Sequence, residues 1–146
     1  MKTQRTQGGV ALVEFALILP FLLLLTFITT EFGRAMYQYN TIAKSVRDAA
    51  RYLSIQLPNS HITEARNLVV YGKLAATDAD QPLALGLATS HVPAPTWQNA
   101  GSAPIITTVT VEVSGYTFNS MVASVFGLGF GSYTFSPIRA TMRSHL

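Results

Sequence analysis

The sequence predicts an α+β protein: a long N-terminal helix whose first half is transmembrane, followed by a small domain with a second helix and an antiparallel β hairpin or sheet. Three observations carry this expectation. The apolar run Val10–Thr30 holds a single charged side chain, Glu14. Apolar residues then recur at steps of three and four as far as Leu57, the spacing of one helical face. Finally, Ile106–Val113 changes period, setting Val109, Val111 and Val113 against Thr108, Thr110 and Glu112, the alternation of a half-buried strand.

The first element is long enough for a bilayer. Residues 10–30, at about 1.5 Å per residue, cover roughly 31 Å, the thickness of a hydrocarbon core. Lys2 and Arg5 precede the run with no acidic residue among them, whereas Glu31 and Arg34 follow it and balance each other. The positive-inside bias therefore predicts residues 1–9 as a cytoplasmic leader, 10–30 as a single-pass membrane helix and 31–146 as a domain across the membrane. A cleaved secretory signal fits less well, because the apolar core is too long and Phe27–Glu31 offers no small-x-small site.

Beyond the span, Phe32, Ala35, Met36, Tyr39, Ile42, Ala43, Val46, Ala49, Ala50, Leu53 and Leu57 continue one helical face, which Pro58-Asn59 ends. Within that face Tyr39, Ile42, Val46 and Leu53 are the candidate helix-packing residues. Pro20 interrupts the apolar half and predicts a kink. A second helix is expected over His61–Tyr71, capped by Asn59 or Ser60 and stopped by Gly72. Residues 75–104, with Pro82, Pro93, Pro95 and Pro104, read as a loop holding a short strand near Leu87–Val92 and pinned by Trp97. The strand Ile106–Val113 is expected to pair with a returning strand through Tyr133, Phe135, Ile138, Ala140 and Met142, broken or bulged at Pro137.

Composition narrows the function. Charge is low, and the net +3 comes from 10 Lys/Arg against 7 Asp/Glu. Lys2 and Arg5 supply two of those cations, leaving eight against seven beyond Gly9. That balance argues against a nucleic-acid partner, which needs clustered cations. With no cysteine, disulfides, thiolate metal sites and cysteine nucleophiles are excluded. His61, His91 and His145 lack metal-ligand spacing. Asp78 and Asp80 start like a calcium loop but lack its glycine and closing glutamate. Gly127-x-Gly129-x-Gly131 has the wrong spacing for a dinucleotide loop. It reads as a turn or, with Phe126, Leu128 and Phe130, as an apolar tip touching a partner or the bilayer surface. No catalytic apparatus, metal site or cofactor is expected, so the chain is read as a non-enzyme.

Glu14 is the residue with a functional reading. It lies five residues after Gly9. A peptidase cutting between Gly9 and Val10 would free an α-amino group with a reference pKa of about 8, charged at neutral pH. In lipid that amine and the carboxylate of a neighbouring, staggered helix would favour each other, because either charge alone is costly.

Gly9-Val10-Ala11-Leu12-Val13-Glu14-Phe15-Ala16-Leu17-Ile18-Leu19-Pro20 resembles the opening of TadE-like proteins of the tight-adherence (Flp) pilus system. The similarity continues through Glu31–Ala35 and Val46–Tyr52 and returns in Ile106–Val113 and Ala140–Arg143, while residues 73–104 carry none of it. The resemblance implies a pseudopilin of the bacterial inner membrane with its domain in the periplasm, cut by a prepilin peptidase between Gly9 and Val10. Glu14 and Phe15 would serve recognition or assembly, although Phe15 stands where many members have tyrosine. Implied partners are other pseudopilins, the major pilin, the prepilin peptidase, the inner-membrane pilus platform and the lipid bilayer. The alternative is an unprocessed, membrane-anchored periplasmic binding or scaffold module that never joins a pilus.

Overall fold

The computed structural model describes residues 8–77, 79–121, 124, 125, 127–129 and 131–145. Helix α1 runs Gly8–Leu53 and α2 runs Ile62–Tyr71. The strands are β1 (Thr96–Ala100), β2 (Ile106–Val113), β3 (Thr117–Phe118), β4 (Ser124–Val125), β5 (Leu128–Gly129), β6 (Tyr133–Thr134) and β7 (Ile138–Arg143). The chain forms two compact units. One joins the apolar part of α1, up to Arg34, with Ser120–Gly131; the other joins Ala35–Asn119 with residues 132–145.

In the first unit, α1 is long and apolar enough to cross a membrane. It stays helical through Pro20, where the missing N–H frees one carbonyl. Three threonines are accommodated by bonding back to their own helix. The hydroxyls of Thr26, Thr29 and Thr30 donate to the carbonyls of Leu22, Leu25 and Thr26, each at 2.8 Å. Each of these three hydroxyls is thus paired within the helix. Within Ser120–Gly131, β4 and β5 pair as a small antiparallel ladder, turned through Gly127 at φ 80°, a left-handed conformation that glycine adopts without a Cβ clash.

In the second unit, the remainder of α1 buries Ile42, Val46, Ala49, Ala50 and Leu53. They meet Ala65, Val69 and Val70 of α2 and Val109, Val111 and Val113 of β2. The expected inward face of Ile106–Val113 is thus the buried one. Its sheet has the order β1-β2-β7, all antiparallel. Thr110 and Thr141 sit opposite each other across β2 and β7, their hydroxyls 2.8 Å apart. Glu112 and Arg139 pair one step along at 3.5 Å. The returning strand is interrupted before Pro137, with β6 pairing to β3 and β7 to β2.

Four details differ from the sequence reading. The helix stops at Leu53, not Leu57. Ile55 and Leu57 are 61% and 66% exposed, so no core face rewards further winding, and Pro58 disfavours helical backbone at Leu57. Helix α2 is entered through His61 in a left-handed conformation, φ 55°, with no side-chain cap. The Ser60 hydroxyl bonds instead to the Leu57 carbonyl at 2.6 Å. Leu87–Val92 is no strand but holds a single 3₁₀ turn, Thr89–His91. Its N–H groups are taken locally, Leu87 by Ala84, His91 by Ala88 and Val92 by Thr89, which leaves none of the three for a ladder. The unexpected strand is β1, which lays Trp97 opposite Val109 and against the core. Trp97 therefore does pin this region, through a sheet edge.

Gly72 ends α2 as expected, at φ 72° with its N–H on the Leu68 carbonyl.

These ends can be tested by truncation. Leu53→Ala removes a fully buried side chain and should cost about 2–5 kcal/mol. Leu57→Ala, outside the helix and exposed, should change stability by less than about 0.5 kcal/mol. Urea unfolding of the detergent-solubilised chain, followed by circular dichroism, measures both; similar losses would show that the packed face extends to Leu57.

Candidate functional site

Of the residues singled out near the N-terminus, Gly9, Val10 and Glu14 lie on one exposed face of α1, whereas Phe15 points to another side of the helix. Gly9, Val10, Val13, Glu14 and Leu17 share this face, as positions three and four apart must on a helix. Val10 and Phe15 are 73% and 58% exposed, and Glu14 is exposed as well. This surface carries one carboxylate among side chains that gain nothing from water. Such a face can do one chemical thing well: pack against hydrocarbon or another apolar helix, with Glu14 requiring a cationic or proton-donating neighbour. Residues 1–7, with the expected leader charges Lys2 and Arg5, lie outside the described residues.

The other expected packing residues have intramolecular contacts. Ile42, Val46 and Leu53 are fully buried in the chain's own core. Tyr39 is 41% exposed and meets Phe135 edge-on at 5.6 Å. Phe135 belongs to an aromatic cluster with Tyr116, Phe118 and Tyr133, ring centroids 5.2–6.5 Å apart. Tyr116 lies inside the core, its hydroxyl 2.8 Å from Gln38 Oε1 and 2.9 Å from the Leu85 carbonyl. Tyr39 is thus the member of the α1 set that keeps both an internal contact and a free face.

A second carboxylate, Glu31, has a role that spacing alone does not disclose. It is 8% exposed, one residue beyond Thr30. Its Oε1 accepts from Arg34 Nη1 at 2.6 Å, and its Oε2 accepts the Met121 N–H at 3.2 Å. Burial opposes ionisation, but the Ser120 side chain, Arg34 and the Met121 N–H outweigh it and hold the carboxyl below its usual range. The signal in the sequence was a lone Glu-x-x-Arg directly after an apolar run, which an i, i+3 pair satisfies. Its long-range partner, 90 residues on, had no signal.

The histidines are held in separate local roles. His91 Nδ1 takes the Ala88 N–H at 3.0 Å, His61 Nδ1 lies 3.0 Å from Ser60 Oγ, and the His145 N–H reaches the Ser54 carbonyl. Asp80 is bonded by Lys73 and by the N–H and hydroxyl of Thr77. The Lys73 ammonium, with those bonds, lowers its carboxyl to about 2. Asp78 lies outside the described residues, as do Phe126 and Phe130 of the expected apolar tip.

Comparison with known proteins agrees with the N-terminal resemblance. Residues 9–51 match the family described as TadE-like protein. That segment covers the apolar helix, Glu14, the Glu31–Arg34 pair and the buried face as far as Arg51. No curated protein and no solved structure matches the chain.

The Glu31 contact predicts a pH signature. A lowered carboxyl pKa means the interaction is present above the ordinary glutamate value, about 4.3, and is lost as pH falls through the lowered one. Amide exchange at Met121, corrected for its intrinsic rate, should show constant protection from pH 7 down to about 4.3 and lose it below. Glu31→Ala should abolish the protection at every pH; unchanged protection in that variant would contradict the contact.

Proposed function

We propose that this chain, TadE-like over residues 9–51, is a membrane-anchored, non-enzymatic pseudopilin of the Tad (Flp) pilus assembly system. The observation that supports the reading is the exposed α1 face on which Gly9, Val10 and Glu14 lie together. Processing by a prepilin peptidase between Gly9 and Val10 gives Val10 a charged amine at the bilayer edge. Glu14 stands a little over one turn along the same helix. In a bundle of staggered subunits the amine of one helix meets Glu14 of the next, which neutralises two charges that lipid disfavours. The pairing fixes the axial stagger, while Val13, Phe15 and Leu17 supply apolar contact.

In this reading Lys2 and Arg5 hold the leader in the cytoplasm, and the second unit lies in the periplasm. Partners are other pseudopilins, the major pilin, the prepilin peptidase and the inner-membrane platform. Tyr39, packed on Phe135 yet part-exposed, is the α1 residue best placed to touch a neighbouring subunit outside the membrane.

One observation favours the alternative of an unprocessed scaffold or binding module. Ile42, Val46 and Leu53 close a core with the chain's own strands, so that unit needs no second subunit to complete it. Such a module would work on any anchor. Exchanging residues 1–30 for an unrelated membrane helix separates the two, since only the module retains function.

Glu14→Ala should leave membrane insertion intact and reduce surface pili about tenfold or more, which corresponds to about 1.4 kcal/mol of lost assembly free energy. Membrane fractionation and counting of pili by electron microscopy measure the two effects. Normal piliation in this variant would remove Glu14 from the assembly mechanism.

A further inference from the structure

We propose that the backbone at Met121 makes a second contact with the bilayer, resting on the phospholipid surface at the end of the apolar helix. The proposal rests on the reading of Val10–Thr30 as a membrane span. Position is the first observation behind it. Ser120–Gly131 and α1 up to Arg34 form one compact unit, and one tie between them is the Met121 N–H on Glu31 Oε2. Glu31 follows the last residue of the span, so Met121 is held within about one helical turn of the depth where hydrocarbon ends. That depth is the headgroup zone, about 5–7 Å thick on each side of a bilayer.

Composition is the second. No charged residue occurs between Glu112 and Arg139, so nothing in this stretch requires bulk water. The sequence from Ser120 to Gly131 consists of apolar and small residues only. Met121 is 77% exposed. A flexible, polarizable thioether at that depth suits the mixed chemistry of the acyl–headgroup boundary.

The third is the chemistry of the tether. A carboxylate one residue from hydrocarbon is costly unless its oxygens are occupied. Glu31 has Arg34 on one oxygen and the Met121 N–H on the other. The local charge is balanced, and both groups stay satisfied when headgroups close over them. A lipid surface needs no shape complementarity, which favours it over a protein groove as the occupant of a short, glycine-turned ladder with no charge to set register.

Because the sequence has no cysteine, single labels can be placed cleanly. Met121→Cys, Leu22→Cys and Gln98→Cys of the full chain would each carry a polarity-sensitive fluorophore. They would be reconstituted in phosphatidylethanolamine–phosphatidylglycerol vesicles containing spin-labelled lipids with shallow or deep quenchers. The proposal predicts loss of emission at position 121 well beyond that at Gln98 of β1, stronger with the shallow quencher, while Leu22 responds most to the deep one. Quenching at 121 no greater than at 98, with Leu22 quenched, would overturn the lipid contact, leave the membrane span standing and point to a protein neighbour at Met121. Absence of quenching at Leu22 as well would overturn the span reading and this proposal together.

Discussion

The apolar surface of α1 is the constraint on which the rest depends. Val10, Leu12, Val13, Phe15, Leu17, Phe21 and Leu25 are all more than half exposed, and no part of the described chain covers them. Such a surface requires a non-aqueous neighbour. Between Val10 and Thr30 there are 14 Leu, Ile, Phe or Val residues. At about 0.3–0.6 kcal/mol each near a bilayer centre they favour insertion by roughly 4–8 kcal/mol. One central carboxylate opposes this by about 2.5–3.5 kcal/mol. On these figures the run could span a membrane, and Glu14, near one end of it, would cost less than a central charge. Such a helix could hold its carboxylate without requiring it for anchoring.

The same helix meets a different demand further along. Past Arg34 its apolar positions thin to one stripe, because water now bathes the other faces. Ile42, Val46, Ala49, Ala50 and Leu53 bury that stripe under α2 and the inner face of β2. The change from an all-round apolar helix to an amphipathic one is thus written in α1 itself. Glu31 and Arg34 stand at the change, and Glu31 draws the Met121 backbone to it.

How much of this was legible follows from what kind of force fixed each part. Elements fixed by hydrophobic period were readable: the apolar run, the α1 stripe, and the Val109-Val111-Val113 face with its return through Ile138. Gly72 was readable because a left-handed helix end favours glycine. Strand β1 was hidden: four of its five residues are exposed, so only Trp97 turns toward the core. Its register comes from backbone pairing with β2, which leaves no compositional trace. The entry to α2 was misread because capping propensity favoured Asn59 or Ser60, whereas the chain turned through a left-handed His61. At the candidate site, spacing and resemblance singled out Gly9, Val10 and Glu14, and the helix sets them on one exposed face. The Glu31–Met121 contact was not, since a backbone N–H carries no residue identity.

The central claim, that this chain, whose residues 9–51 match the TadE-like family, works as a processed pseudopilin, is tested most directly by the intact mass and N-terminal sequence of the protein extracted from its native membrane. The account predicts a chain that begins at Val10, with Gly9 and everything before it removed, so that a free amine stands on the same helix as Glu14. A chain that still carries Lys2 and Arg5 would contradict processing. The amine–carboxylate pairing would fall with it, and the protein would instead be an unprocessed anchor for the domain built around Val46 and Val111.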